Sequence, residues 1–412
     1  MEVITLSQRE VTRYEVINGT IQRRISNIEA ARLLGISRRH VIRIKNKVKG
    51  IGLRGIVHGN RGKRPKLAIS NETKEIILSL YQSRYNGFNI LHFGEFLKEV
   101  HGIEVSRETL RKLLLISGLR TRVKSPPKHR SRRARMPRTG LLVQMDSSEH
   151  QWLGDSTIWL IATIDDSTGE IPYALFVDSD STENNMRVIK RVVERKGIPA
   201  ALYTDGASHF VTQRHYSYRV NLKYDYAPTQ IERALKEMGV NLIIAGSPQA
   251  KGRIERLFGT FQDRLLKELK LYDISTIKEA NNYLHKRFLP RFNRKFSTTP
   301  QDPQSAWRVL PKELNLDSIF SIKEQRIVRA DNTISYKNRV FQILPDKYRI
   351  SFAKAQVMVE KRLDESIHIK YKDQYLNYKE ISCEESYKTV SSSKPLTLDS
   401  LPGGDIFTLH QG

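Results

Sequence analysis

Residues Gly246 to Leu269 read GSPQAKGRIERLFGTFQDRLLKEL. Ser247 is a good N-cap, and Pro248 suits the first helical position. Ile254, Phe258, Phe261, Leu265 and Leu269 then fall on one stripe, which predicts a helix with a core-facing side. Glu255 sits just off that stripe, with Gly252 and Gly259 three and four residues away on its own face. Each glycine costs a helix interior about 1 kcal/mol relative to alanine. Lys251, Arg253, Arg256 and Arg264 surround this lone carboxylate. The plain reading is a solvated Glu–Arg pair, which stabilises little. The sharper one is that something bulky and anionic must approach Glu255 closely. The rest of the chain has to decide.

With 412 residues the chain exceeds one ordinary core and suggests about two to four domains. Its formal net charge is +26, from 70 Lys and Arg against 44 Asp and Glu. An excess of that size favours polyanions, nucleic acid first and anionic membrane second. No apolar run approaches the roughly 20 residues that span a bilayer, and MEVITLSQREVTRYEV lacks the pattern of a signal peptide. No membrane partner is expected. Cys383 is the one cysteine, so neither an internal disulfide nor a cysteine-based zinc site is available. The 11 histidines show no HExxH or HxxxH spacing. Any metal is therefore expected on oxygen ligands, which points to Mg²⁺ or Mn²⁺, and an intracellular setting is the simplest fit.

Near the N-terminus, Ser26 to Glu29 form a capping box that opens a short helix ending at Gly35. Ser37 caps a second helix, in which Val41, Ile44 and Val48 face inward. Arg38, Arg39, Arg43, Asn46 and Lys47 face out. Two helices about a tight glycine turn, the second with a basic face, describe a DNA-binding helix-turn-helix; an ordinary helical hairpin is the alternative. A second helical unit follows, ending with SRETLRKLLLISG capped by Ser106. Thr121 to Gly140, TRVKSPPKHRSRRARMPRTG, is densely basic with no hydrophobic period. It reads as an extended segment along a phosphate backbone, with Arg132, Arg133 and Arg135 as contacts.

The next region changes character. LLVQMD, TIWLIATID and IPYALFVD read as an antiparallel meander. A helix, the strand AALYTD, the helix IERALKEMG and the strand VNLIIAG lead to the helix quoted first. The order is βββαβαβα, a mixed α/β domain. Beyond Pro300, alternating strands with turn signals at Asp331-Asn332, Lys337-Asn338 and Asp364-Glu365 predict a small all-β domain, barrel-like. The expected division is helical domains over 1–66 and 67–120, a basic linker over 121–139, the α/β core over 140–300 and a linker over 301–318. The barrel then covers 319–381, and 382–412 is expected to be disordered.

In this reading Asp146 ends the first strand, Asp205 ends the strand after the first helix, and Glu255 lies in the first turns of a later helix. If the two strands are neighbours, their ends converge and the helix brings Glu255 alongside. Three oxygen ligands so placed can hold two Mg²⁺ about 4 Å apart for an in-line displacement at phosphorus. The glycines beside Glu255 would then leave room for a DNA backbone. Each acid also has a plain reading: Asp146 as a turn acid, and Asp205-Gly206 as a common turn. Asp165 and Asp166 compete for the metal role but read as loop acids where the meander turns. His209 could touch a scissile phosphate or be an ordinary loop histidine.

VQMD, YTDGASHF and SPQAKGRIER, in that order on this pattern, resemble the DDE core of retroviral-type integrases and insertion-sequence transposases. SPQAKGRIER with FQDRLLKELKL and ISTIKEANNYL is similar to the ISNCY-type bacterial transposases, as are HGNRGKRP and VSRETLRKLL upstream. The likeness covers about residues 10 to 310. It implies a multidomain protein: all-α helix-turn-helix domains, a central RNase H-like (integrase) core and a C-terminal small β-barrel. Asp146, Asp205 and Glu255 become the catalytic and metal-binding residues, with two Mg²⁺ ions for which Mn²⁺ substitutes. Lys251, Arg253 and Arg256 become the DNA contacts beside the site. The implied partners are double-stranded DNA, as terminal inverted repeats and target, and a second copy or more of the chain. A cytoplasmic, nucleoid-associated bacterial location follows. VTQRHYSYRVNLKYDYAP makes the interval from Asp205 to Glu255 longer than in retroviral integrases. A DNA-binding regulator without activity and a nuclease that cuts without joining are the rival readings.

Overall fold

Ser26, Ser37 and Ser106 each accept a hydrogen bond from the N–H three residues on, at 3.2, 3.2 and 3.1 Å. These caps open helices where the sequence places them. A computed structural model describes residues 5–61, 69–121, 134–211, 228–245, 252–345, 347 and 349–381. The chain divides into two units, Met1–Ser79 and Leu80–Gly412. In the first, α1 (Gln8–Ile21), α2 (Asn27–Leu34) and α3 (Arg38–Ile51) pack around Ile17, Ala30, Val41, Ile44 and Val48. Gly35, at φ 61°, turns the chain between α2 and α3, a left-handed conformation that a side chain would strain. α4 (Asn71–Ser83) spans the division. The second unit opens with α5 (Ile90–His101) and α6 (Arg107–Ile116). Most of the basic linker and all of 382–412 lie outside the described residues.

The α/β core of the second unit contains β1 (Val143–Leu153), β2 (Ser156–Asp165), β3 (Ala174–Val177), α7 (Thr182–Lys196), β4 (Ala201–Thr204), α8 (Gln230–Glu237), β5 (Asn241–Ile244) and α9 (Gly252–Leu271). The expected βββαβαβα order is found. In space the strands run β3-β2-β1-β4-β5. The first three are antiparallel, and β4 and β5 run parallel to β1. One strand end differs from expectation. Asp146 does not close β1 but sits inside it, opposite Ala162. The polar residues after it extend the hairpin with β2, which Gly154 turns at φ 59°.

Each face of the sheet carries a core. α7 and α8 cover one, with Val143, Met145, Ile161 and Leu202 against Ile189, Val192 and Leu235. α9, α10 (Ile277–Tyr283) and α11 (Leu289–Phe296) cover the other, with Leu160, Ala162 and Ile164 against Phe258, Phe261 and Leu265. The edge formed by β3 and the segment leading into it is capped by two side-chain amides that imitate a neighbouring strand. Asn281 on α10 accepts from Phe176 N–H at 2.8 Å and donates to its carbonyl at 2.9 Å. Asn293 on α11 does the same for Ile171, at 2.9 Å both ways. A covered edge cannot recruit a foreign strand.

After α12 (Leu316–Ile319) come β6 (Ser321–Ile327), β7 (Thr333–Tyr336), β8 (Arg339–Ile343), β9 (Gln356–Arg362), β10 (Ile367–Tyr371), β11 (Gln374–Leu376) and β12 (Tyr378–Ile381). The expected barrel is corrected here. Among the described residues these strands form two separate sheets, β11-β10-β9-β6 and β12-β8-β7, around Val328, Phe341, Phe352 and Val359. β6 pairs with β9 rather than with β7, so the Asp331-Asn332 turn passes between sheets instead of closing a hairpin. Lys337 and Asn338, both at positive φ, do make the β7–β8 hairpin turn.

Candidate active site

Strand alternation decides where the carboxylates go, because successive side chains point to opposite faces. Asp146 pairs with Ala162 of the α9-side core, and Ser147 with Ile161 of the α7-side core. Asp146 therefore faces α9 and Ser147 faces α7. In the parallel pairing Val143 lies opposite Leu202 and Gln144 opposite Tyr203. Continuing that register sets Asp205, one residue beyond β4, beside Asp146. Leu202 belongs to the α7–α8 core, so alternation turns Asp205 to the α9 side as well. Two half-buried carboxylates share one face at one level of neighbouring strands. Asp146 Oδ1 accepts from Ser147 N–H at 3.1 Å, and Asp205 Oδ1 from Ala207 N–H at 3.1 Å.

α9 crosses that face, burying Ile254, Phe258, Phe261, Leu265 and Leu269 as the periodicity requires. Its first turn carries Glu255, which is exposed. Ser247, Pro248 and Lys251 lie outside the described residues. A Cβ added at Gly259 would meet nothing within 4 Å, and one at Gly252 would meet only the tip of Arg256, at 3.8 Å. The helix surface from Glu255 past Gly259 to Asp263 is thus open, with no side chain standing over the glycines beyond the tip of Arg256. Among the described residues no three His, Cys, Asp or Glu side chains gather closely enough to hold a metal ion. By the β1–β4 register Asp146 and Asp205 fall at one level on the α9 face of neighbouring strands, with Glu255 on the helix that crosses this face, and the three do not close into a cluster. Their all-oxygen donor chemistry fits a hard dication.

Asp165 and Asp166 are not solvated loop acids. Both are buried. Asp165 accepts from the N–H groups of Gly140, Ser167 and Thr168 at 2.7, 2.9 and 3.1 Å. Burial pushes its pKa up, against those hydrogen bonds. Asp166 accepts from Met136 N–H, Gln144 Nε2 and Arg253 Nε at 2.9, 2.7 and 2.8 Å. Arg253 is therefore turned inward, onto Asp166, and holds the first turn of α9 to the sheet. Arg135 donates to the Ser167 carbonyl at 3.0 Å, so its guanidinium also serves this turn. Arg256 is exposed and bonds its own helix at the Gly252 carbonyl.

His209 stands near the carboxylates through a partner that sequence reasoning missed. Its Nε2 lies 3.3 Å from Asp180 Oδ2, a close polar contact without hydrogen-bond alignment. Asp180 lifts the His209 pKa above the usual imidazole value, against burial. Burial works to raise the Asp180 pKa, but His209, Ser147 and Asn185 together hold it below the usual carboxylate range. In VDSDSTENN nothing local separates Asp180 from Asp178; only the fold does.

No family model matches the chain. The transposase for insertion sequence IS1202 of Streptococcus pneumoniae is 30% identical to it over 426 residues, covering 94% of this chain and 89% of that protein. The y4bF protein of Sinorhizobium fredii, named as a transposase, is 31% identical over 384 residues, covering 92% and 82%. The chain belongs to the insertion-sequence transposase family. Among solved structures, the HTLV-2 integrase catalytic core domain in complex with magnesium matches at 13% identity and a TM-score of 0.28, over 36% of this chain and 85% of that one. The simian T-cell lymphotropic virus intasome in complex with PP2A regulatory subunit B56 gamma matches at 12% and 0.33, over 74% and 99%. Scores that low carry no weight beside the relatives' identity. In this family member, Arg38, Arg39, Arg43, Asn46 and Lys47 are all exposed on α3, opposite buried Val41, Ile44 and Val48. Arg132 and Arg133 lie outside the described residues. No described helix is long and apolar enough to cross a membrane.

Proposed function

We propose that the chain binds the terminal inverted repeats of an insertion sequence, cleaves the DNA to free 3′-OH ends and joins those ends to target DNA. In cleavage, water oxygen bonds to phosphorus as the P–O3′ bond breaks. In joining, the freed 3′-OH attacks a target phosphodiester and displaces its 3′ oxygen. The observation that carries this reading is the register that puts Asp146 and Asp205 at one level of adjacent strands, on the face crossed by the helix whose first turn carries Glu255.

Asp146, Asp205 and Glu255 would hold two Mg²⁺, with Mn²⁺ able to substitute. When bound, such a pair supplies Lewis acidity to the attacking and leaving oxygens of an in-line displacement. The chain's own residues do the rest. Arg256 neutralises phosphates beside Glu255, Lys251 serves as a further phosphate contact, and the bare surface at Gly259 admits a sugar–phosphate backbone. Arg38, Arg39, Arg43, Asn46 and Lys47 on α3, with Arg132 and Arg133, hold the element end by phosphate and base contacts. Arg253 and Arg135 act through the Asp166 turn instead of on DNA. Handling two ends together calls for a homodimer or larger homo-oligomer.

Strand transfer tests the proposal, with a labelled duplex of the element end, Mg²⁺ and the full chain beside Glu255→Gln. Joined products from wild type and none from the variant are expected. Cleavage without joining would leave a nuclease, and specific binding without chemistry under any divalent metal would leave a DNA-binding protein.

A further inference from the structure

We propose that Asp180 and His209 are positioning residues that set the spacing of Asp146 and Asp205. This rests on the reading of those two acids as the reacting pair. Asp180 lies just before Ser181, the N-cap of α7, on the sheet face opposite α9. Its two oxygens gather groups from three segments. Ser147 Oγ donates at 2.7 Å, Asn185 Nδ2 at 2.6 Å, and His209 Nε2 stands at 3.3 Å. The bond to Asn185 alone would be ordinary bookkeeping at a helix start. Ser147 and His209 belong to no part of α7, so the junction joins separate segments.

What it joins are the chains immediately after the two acids. Ser147 follows Asp146 in β1, and their side chains leave on opposite faces. Holding Ser147 down on the α7 side therefore fixes how far the Asp146 carboxylate stands out on the α9 side. His209 lies in the turn that leaves Asp205. That turn is closed at Ala207, whose N–H donates to Asp205 Oδ1 at 3.1 Å and whose carbonyl accepts from Phe210 and Val211 N–H at 2.9 and 3.1 Å. Phe210 is buried in the α7-side core, so the turn moves as one piece with Asp205. Asp180 thus ties the Asp146 strand to the Asp205 turn from behind the sheet. The His209 ring also faces the Asp180 carboxylate directly, at 3.3 Å. Asp180 and Asp205 are the charged groups acting on the ring.

The test uses the full chain with Asp180→Asn, His209→Gln, their double variant and the milder Ser147→Ala. Two quantities are read: the Mg²⁺ concentration for half-maximal cleavage of the element-end duplex, and the rise in melting temperature that Mg²⁺ produces without DNA. Each single variant is expected to need at least about tenfold more Mg²⁺, the loss typical when a partner behind a metal ligand is removed. The double variant should be no worse than the worse single one. Mg²⁺ dependence unchanged in Asp180→Asn, or losses that multiply in the double variant, would overturn the proposal. If wild type cuts no DNA, the functional reading fails while the melting shift still decides the positioning. A shift lost alike in Asp180→Asn and Asp146→Asn supports it; a shift kept in Asp180→Asn, or absent from wild type, overturns it. If Asp180→Asn does not fold, Ser147→Ala and His209→Gln give the same two readings.

Discussion

Replacing Glu268 by leucine should lower stability by about 4 kcal/mol, because it breaks a buried ionic junction between α5 and α9. Glu268 is fully buried on α9. It accepts from His92 Nε2 at 2.7 Å, from the Tyr283 hydroxyl at 2.5 Å and from the Arg291 guanidinium. Arg264, also on α9, grips Glu95 of α5 at 2.8 and 3.0 Å, and Asn89 bonds Asp263. Removing one partner of a buried pair costs roughly 3–5 kcal/mol. Arg291 tempers this, since its side chain is 30% exposed and Glu99 stands 3.9 Å away, so it can recover part of its solvation. His92 and Tyr283 restore the loss, as each is left with a donor and no acceptor, at roughly 1–3 kcal/mol apiece where water cannot enter. Calorimetry at pH 7.5 should show the transition of the second unit lowered by roughly 10 °C, taking ~2–4 °C per kcal/mol for a unit of this size. Glu268→Gln, which keeps an acceptor, should fall between. In the His92→Phe/Glu268→Leu pair the losses should sum to less than the two singles, since one substitution removes the donor that the other strands. A drop below about 3 °C for Glu268→Leu would refute the reasoning, because the junction would then contribute no more than a surface pair.

Burial holds the His92 pKa below the usual imidazole value, against the pull of Glu268, and its Nδ1 has no acceptor in the protein. Below about pH 6.5 the unfolded chain therefore takes a proton that the folded chain refuses, and stability should fall by up to ~1.4 kcal/mol per pH unit. Urea midpoints from pH 7.5 to 5.5 should show this slope reduced in His92→Phe. Asp166→Asn strips the charge from the pair that holds the first turn of α9 and should cost about 3 kcal/mol, read as a fall in melting temperature matched by Arg253→Ala. Gly259→Ala should stabilise by up to ~1 kcal/mol in the same melt, since the added methyl meets nothing. Gly259→Trp should melt normally yet lose at least tenfold in strand cleavage, by about the measure of a misplaced substrate. Arg38→Ala and Arg43→Ala should each reduce by about 1 the slope of log affinity against log salt for the element-end duplex, without changing the melt.

What the sequence displays well is whatever is local. The caps at Ser26, Ser37 and Ser106 and the Ile254 to Leu269 stripe need only a few neighbouring residues, and they stand where expected. Distant partners are another matter. Nothing beside Asp166 announces that Met136, Gln144 and Arg253 will converge on it, so a buried acid reads as a loop acid. The C-terminal strands show the same limit: alternation identifies a strand but carries no information on closure, and β6 finds β9 across an intervening hairpin.

The candidate site lies between these cases, and parity explains why half of it is legible. Asp146 and Asp205 can be picked out because each follows an apolar strand, and a parallel pairing of those strands puts equal offsets side by side. Asp180 cannot, since its relation to Asp146 runs through Ser147 and the opposite face of β1. That same parity makes the arrangement unforgiving. Shifting the pairing of a strand by one residue exchanges its two faces. Inserting one residue between Met145 and Asp146 would turn Asp146 toward the α7-side core and aim a polar group at α9, while leaving the strand composition almost unchanged. If two carboxylates on one face are what the site requires, that insertion should abolish cleavage as completely as Glu255→Gln. Inserting two residues should restore the parity, though not the level, and recover a measurable part of the activity. Equal loss from both would show that position along the strand outweighs the face, and that the match in register between Asp146 and Asp205 is the stricter condition.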